Sequence, residues 1–214
     1  MLVVIGGHTR NIGKTSAVCE LIRTFPALHW TAVKITQYGH YVCSADGEPC
    51  DCQTADHTIA LTEERTSTSG TDTSRYLAAG AARSLWLRTR QGQLAEAMPR
   101  LRAELAKSAN NILESNSVMR FLRPDLYLVV LSPETADFKP SAQYVLDRAD
   151  AYLLTAKPNA PAWQGISLRL LSGKPNFAYM AGEPFSPELK AWLAERLGQI
   201  SGSRVGWEQR ASAR

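Results

Sequence analysis

Three groups of residues carry side chains at spacings suited to chemistry. The first lies in "VVIGGHTRNIGKTSAVCEL", where an apolar run gives way to glycines and then to Gly13, Lys14 and Thr15. Such a run offers backbone N–H groups that can wrap phosphate oxygens, here along Gly7, Arg10, Asn11, Ile12 and Gly13, with Ser16 opening the helix that follows. Lys14 would meet the β- and γ-phosphates and the Thr15 hydroxyl a magnesium ion. The usual G-x-x-x-x-G-K-T spacing puts a glycine where His8 stands, and Gly7 lies one residue earlier. His8 itself is expected to be a loop residue touching solvent.

The second group is acidic and basic. Asp72, flanked by Thr71, Thr73 and Ser74, reads either as a helix N-cap or as a carboxylate that holds Mg²⁺ directly or through water, with Arg75 one turn on for a phosphate. Glu114 ends a short apolar segment, where ligands bind in open α/β sheets; it would hold magnesium or orient an attacking water, or else be an ordinary surface glutamate. The strand aspartate of the second nucleotide motif is absent, its positions being Ala109, Asn110 and Asn111. The catalytic set expected is Lys14, Asp72 and Glu114, and the magnesium set Thr15, Asp72 and Glu114. Lys157 and Asn159 in "TAKPN" echo the N-K-x-D loop that reads guanine, with asparagine in place of the aspartate, which leaves GTP and ATP both open.

The third group is "GHYVCSADGEPCDCQTADH", which concentrates His40, Cys43, Cys50, Cys52 and His57. Thiolates and imidazoles in one segment suit a tetrahedral Zn²⁺, while the bland alternative is a loop with reduced thiols. Cys19 falls among Ala17, Leu21 and Ile22 on the apolar side of the first helix and reads as core.

These residues need elements to hold them. Apolar runs at Leu2–Ile5, Thr31–Ile35, Ile112–Leu113, Leu126–Leu131, Ala151–Leu154 and Phe177–Met180 read as buried strands, because they do not alternate. Helical patterns fall between them at Lys14–Thr24, Thr73–Arg88, Leu94–Ser108, Ala142–Asp147 and Pro187–Leu197. Strand and helix alternate, which predicts an α/β fold with a doubly wound, mostly parallel sheet of the P-loop NTPase type. One domain is expected over residues 1–200, with a Cys-rich insertion at 39–70 and a disordered tail at 201–214.

The loop G-x-T-x-x-x-G-K-T resembles that of dethiobiotin synthetases, in the P-loop branch that includes MinD-type ATPases and metal-insertion GTPases; Thr9 replaces the lysine that marks the MinD-type loop. "AVKITQYGH" (32–40), "GTDTSRYLAAGAA" (70–82) and "ILES" (112–115) are similar to segments of MobB, the adaptor in synthesis of the guanine-dinucleotide form of the molybdenum cofactor. That resemblance spans roughly the first 120 residues and implies that Lys34, at the end of the second strand, faces the site. It further implies Mg-dependent NTP binding and hydrolysis serving cofactor synthesis or insertion, a protein partner in that assembly, and a homodimer. Two alternatives stay open: a metal-chaperone GTPase using the His/Cys loop, and a ligase like dethiobiotin synthetase in which Lys34 and the Ser115-Asn116-Ser117 turn hold an acidic substrate.

Composition narrows the partners. The 214 residues carry a net charge of +4 with Lys and Arg spread along the chain, weak support for nucleic acid and adequate for phosphate-bearing small ligands. No apolar run approaches the roughly 20 residues of a membrane helix. Leu2–Ile5 is too short for a signal peptide, and a cytoplasmic protein is expected.

Overall fold

The computed structural model describes residues 1–38, 59–157, 161–167 and 169–211. Its centre is β1 (Leu2–Gly7), whose side chains alternate between two cores: Val3 and Ile5 enter one cluster and Val4 the other. A strand that feeds both faces must be covered on both, which is why the run lacks polar positions. Around it lies an eight-stranded sheet. It is completed by β2 (Thr31–Tyr38), β3 (Ile59–Glu63), β4 (Arg83–Arg90), β5 (Asn111–Glu114), β6 (Leu126–Leu131), β7 (Ala151–Leu154) and β8 (Asn176–Ala178). The order is β3-β4-β2-β5-β1-β6-β7-β8, parallel throughout except for the antiparallel β3–β4 edge. This is the doubly wound, mostly parallel sheet expected.

Among the described residues, five α-helices connect strands, α1 (Lys14–Thr24), α2 (Asp72–Ala78), α3 (Leu94–Leu105), α4 (Pro140–Gln143) and α5 (Arg169–Ser172), and α6 (Pro187–Ala211) follows β8. In α1 the buried Ala17, Val18, Leu21 and Ile22 form one stripe toward the sheet, and Pro26 follows its end. Cys19 is buried in that cluster, as expected.

Three expectations need correction. The helix expected over Thr73–Arg88 stops at Ala78, and Arg83–Arg88 belong to β4. Gly80 at φ 101° breaks the helix. Beyond it, Leu85, Leu87 and Thr89 are buried and alternate with Trp86, Arg88 and Arg90, a period of two rather than 3.6. The second correction is β3, which lies inside the 39–70 stretch expected to be a loop; as an edge strand with no fully buried residue, it carries little apolar signal. The third concerns α6, whose backbone continues to Ala211, past the Leu197 at which the helical pattern was expected to end. The candidate zinc ligands His40, Cys43, Cys50, Cys52 and His57 lie outside the described residues, as does Asn159. Among the described residues no His, Cys, Asp and Glu cluster is suited to a metal of that kind, and no helix is long and apolar enough to cross a membrane.

Candidate functional site

At the carboxyl ends of β1, β2 and β5 the chain leaves the sheet and opens a cleft of about 1400 Å³. The loop from Gly7 to Thr15 forms its floor. Asn11 at φ 54° and Gly13 at φ 95° both take left-handed backbone conformations, which curl the loop ahead of α1. At Gly13 a β-carbon would also lie 2.8 Å from the Ala181 β-carbon, so glycine is required for both conformation and space. The Tyr179 hydroxyl donates to the Gly13 carbonyl at 2.7 Å and closes the loop from the far side. Ile12 is buried in the core beside Gly7 and acts as the loop's anchor.

Asn116 secures the front of the loop. Its amide accepts from the Gly7 N–H at 2.9 Å and donates to the Gly7 carbonyl at 2.7 Å, supplying the pair of bonds that a neighbouring strand would. That amide is therefore committed to the backbone rather than to a substrate. Lys14 reaches back over the loop and donates to the Thr9 carbonyl, while the Thr9 hydroxyl donates to Asp137. His8 is not the solvent-touching residue expected: it is fully buried, against the rings of Phe138 and Trp163 at 5.0 and 5.5 Å. Its Nε2 faces the Thr135 carbonyl at 3.2 Å and its Nδ1 accepts from the Ser132 N–H at 3.5 Å, an arrangement that needs a neutral ring protonated on Nε2. Burial holds its basicity down in the same sense.

The acidic residues converge on Lys34. Its register partner on β5 is Glu114, which is 3% exposed at the strand end. The Lys34 ammonium lies 2.5 Å from the Glu114 carboxylate, 2.8 Å from that of Asp72 and 3.5 Å from the Thr15 hydroxyl. Glu114 also accepts from the Thr15 hydroxyl at 2.8 Å and from the Tyr76 hydroxyl. Burial alone would raise the Glu114 carboxyl, but the charges of Lys34 and Lys14 and the bonds from Lys34 and Tyr76 outweigh it and hold it at about 2. Burial is likewise the largest influence on Lys34, opposed by Glu114 and Asp72, and the outcome is an ammonium held more firmly than usual. For Lys14 burial wins, and its basicity falls.

Asp72 is free for this role because it is not the cap of its helix. Thr71 is the N-cap, accepting from the Ser74 N–H at 3.1 Å, and Asp72 occupies the first helical position. Arg75 lies 3.5 Å from Asp72 and donates to the Ser16 hydroxyl at 3.1 Å, tying α2 to α1. The Glu64 carboxylate shapes the preceding loop by accepting from the hydroxyls of Ser69, Thr71 and Thr73 at 3.1, 2.9 and 3.1 Å.

Of the residues expected from sequence, Gly7, Arg10, Asn11, Gly13, Lys14, Thr15, Ser16, Lys34, Asp72, Arg75 and Glu114 share this cleft. Lys157 is exposed after β7 and lines no part of it. Tyr76, Tyr179 and Lys139 escaped the sequence reading, as did the part Asn116 plays in holding Gly7. Tyr76 left a signal, since it follows Asp72 by four and so shares its helix face. The others depend on contacts over a hundred or more positions. Thr15, Asp72 and Glu114 offer hard oxygen donors of the kind that would suit a magnesium ion.

No family model matches the chain, and no curated protein matches it. Among solved structures, the chain is similar to LpxK from Aquifex aeolicus, whose crystal structure was determined in complex with ATP. The two share 17% identity with a TM-score of 0.47, over 83% of this chain and 53% of that one, so this chain spans about half its length.

Proposed function

We propose that this protein binds a nucleoside triphosphate with magnesium and hydrolyses its γ-phosphate. The observation that supports this best is the placing of Lys34, Glu114, Asp72 and Thr15 within reach of one another, directly beside the loop that carries Lys14. Phosphoryl transfer asks a protein chiefly for position and for charge that meets the developing negative oxygens. Lys14 and the backbone N–H groups of Arg10–Thr15 supply that at the loop, and Lys34 and Arg75 add cations on the α2 side. Thr15, Asp72 and Glu114 would hold magnesium, which neutralises phosphate charge when bound. With its carboxyl held at about 2, Glu114 is a poor proton acceptor, so it orients water or metal rather than abstracting a proton. Slow intrinsic turnover follows, and a protein partner in cofactor assembly, as the MobB resemblance implies, would accelerate it. Base reading by Lys157 and Asn159 rests on sequence pattern alone, so GTP and ATP are to be compared directly.

The test is titration calorimetry with GTP and ATP in magnesium, followed by turnover. Lys14→Ala is expected to weaken nucleotide binding by a hundredfold or more, and wild-type affinity in that variant would end the proposal. Glu114→Gln is expected to bind nucleotide and lose turnover by about a hundredfold, the scale of a removed electrostatic contact. Equal rates in the two proteins would remove Glu114 from the mechanism.

A further inference from the structure

The cleft is larger than one ligand needs. Sites for a single drug-sized molecule run to about 300–1,000 Å³, against about 1400 Å³ here. Away from the phosphate loop its wall comes from the short helix α4 and from the 3₁₀ turn Ser117–Arg120 that follows β5. α4 carries a cleft-lining residue at each end, Lys139 as its N-cap and Tyr144 as its C-cap. Tyr144 is 71% exposed, and among the described residues it is one of two large hydrophobic side chains left so open, with Met180. The Arg120 guanidinium stands over its ring at 5.6 Å from the centroid, and Phe121 lines the cleft beside them. A ring held open to a cleft and flanked by a cation is a stacking surface in want of an aromatic partner.

Lys139 adds a cation to the same wall. Partial burial first, then the nearby charges of Arg10, Lys14 and Lys34, pull its ammonium down to about 8, with Asp137 opposing them. A cation held among other cations is relieved by an anion from solution. The backbone that carries Lys139 is anchored, because its N–H donates to the His8 carbonyl at 2.9 Å and Phe138 packs on the buried His8 ring.

We propose that this wall is a second small-molecule subsite, which binds a compound bearing a phosphate or carboxylate on a flat ring. Lys139 takes the anion, and Tyr144 with Arg120 and Phe121 takes the ring. The assignment rests on the reading that the Gly7–Thr15 loop holds the phosphates, which sets the second compound beside the terminal one.

The probe is 1-naphthyl phosphate, followed by fluorescence anisotropy, with the loop first filled by magnesium tripolyphosphate. Saturable one-to-one binding is expected with tripolyphosphate present. Tyr144→Ala and Lys139→Gln should each weaken it at least tenfold, and Tyr144→Ala should leave tripolyphosphate affinity unchanged. Tyr144 is exposed, so its variant folds, and Arg120→Gln provides an independent loss of a few-fold. Displacement of the probe by tripolyphosphate, affinity unaltered in the Tyr144 and Lys139 variants, or no saturable binding would each overturn the subsite. Should tripolyphosphate itself fail to bind, the phosphate reading falls separately. The same titration without it then decides the subsite: tenfold losses in the two variants support it, and their absence overturns it. Naphthalene-2-carboxylate in place of the phosphate tells which anion Lys139 prefers.

Discussion

Glu64 and Glu114 each gather several hydrogen-bond donors, in opposite surroundings. Glu64 lies near the surface and draws on three hydroxyls and the N–H groups of Arg65 and Thr66. Glu114 is 3% exposed and draws on Thr15, Tyr76 and the ammonium of Lys34. Water can replace any partner that Glu64 loses, so its bonds shape a loop at little net gain. Glu114 keeps only a narrow opening to the cleft, and a buried carboxylate without its counter-charge is costly. The same functional group is thus a local staple in one place and an obligation on the whole site in the other.

Lys34→Met breaks the contrast hardest. It should destabilise the fold by about 3–5 kcal/mol at neutral pH, the usual cost of orphaning one buried charge, read from urea midpoints. The loss should shrink on acidification. In the wild type the folded Glu114 carboxyl titrates at about 2 against an ordinary 4.5, so its contribution is full above 4.5 and is lost as pH falls toward 2. Without Lys34 burial dominates and raises that carboxyl, so protonation stabilises the variant and the two proteins converge. A difference that stays constant between pH 7 and pH 4 would show that Lys34 does not compensate Glu114. Tyr76→Phe is the intermediate case, expected to cost about 1.5–3 kcal/mol for one bond to a charged acceptor. Glu64→Ala should cost less than about 1 kcal/mol, with α2 loosened but folded. A Glu64 variant as damaging as Tyr76→Phe would erase the distinction between the two carboxylates.

Much of the site was legible because its parts follow short-range rules. Gly13-Lys14-Thr15 announces itself within one loop, and the apolar run before it and the amphipathic run after it fix strand and helix. The parallel sheet followed from runs such as Leu126–Leu131, where every residue is buried. Arg83–Arg90 was harder, since Trp86 shelters under Arg88 at 4.6 Å and the strand borrows polar residues for its outer face. His8 misled for a related reason: nothing beside it in sequence foretells the burial that Phe138 and Trp163 impose. Asn116 illustrates the limit best, because an asparagine after a strand looks like any turn residue until Gly7 is placed against it.

The bond from Tyr179 to Gly13 joins residues 166 positions apart. Synthesis runs from the amino to the carboxyl end, so the loop of residues 7–15 is made well before its rear wall. Until residues 179–181 have been made and docked, the nascent chain has the loop's sequence without the contacts that Tyr179 and Ala181 bring to Gly13.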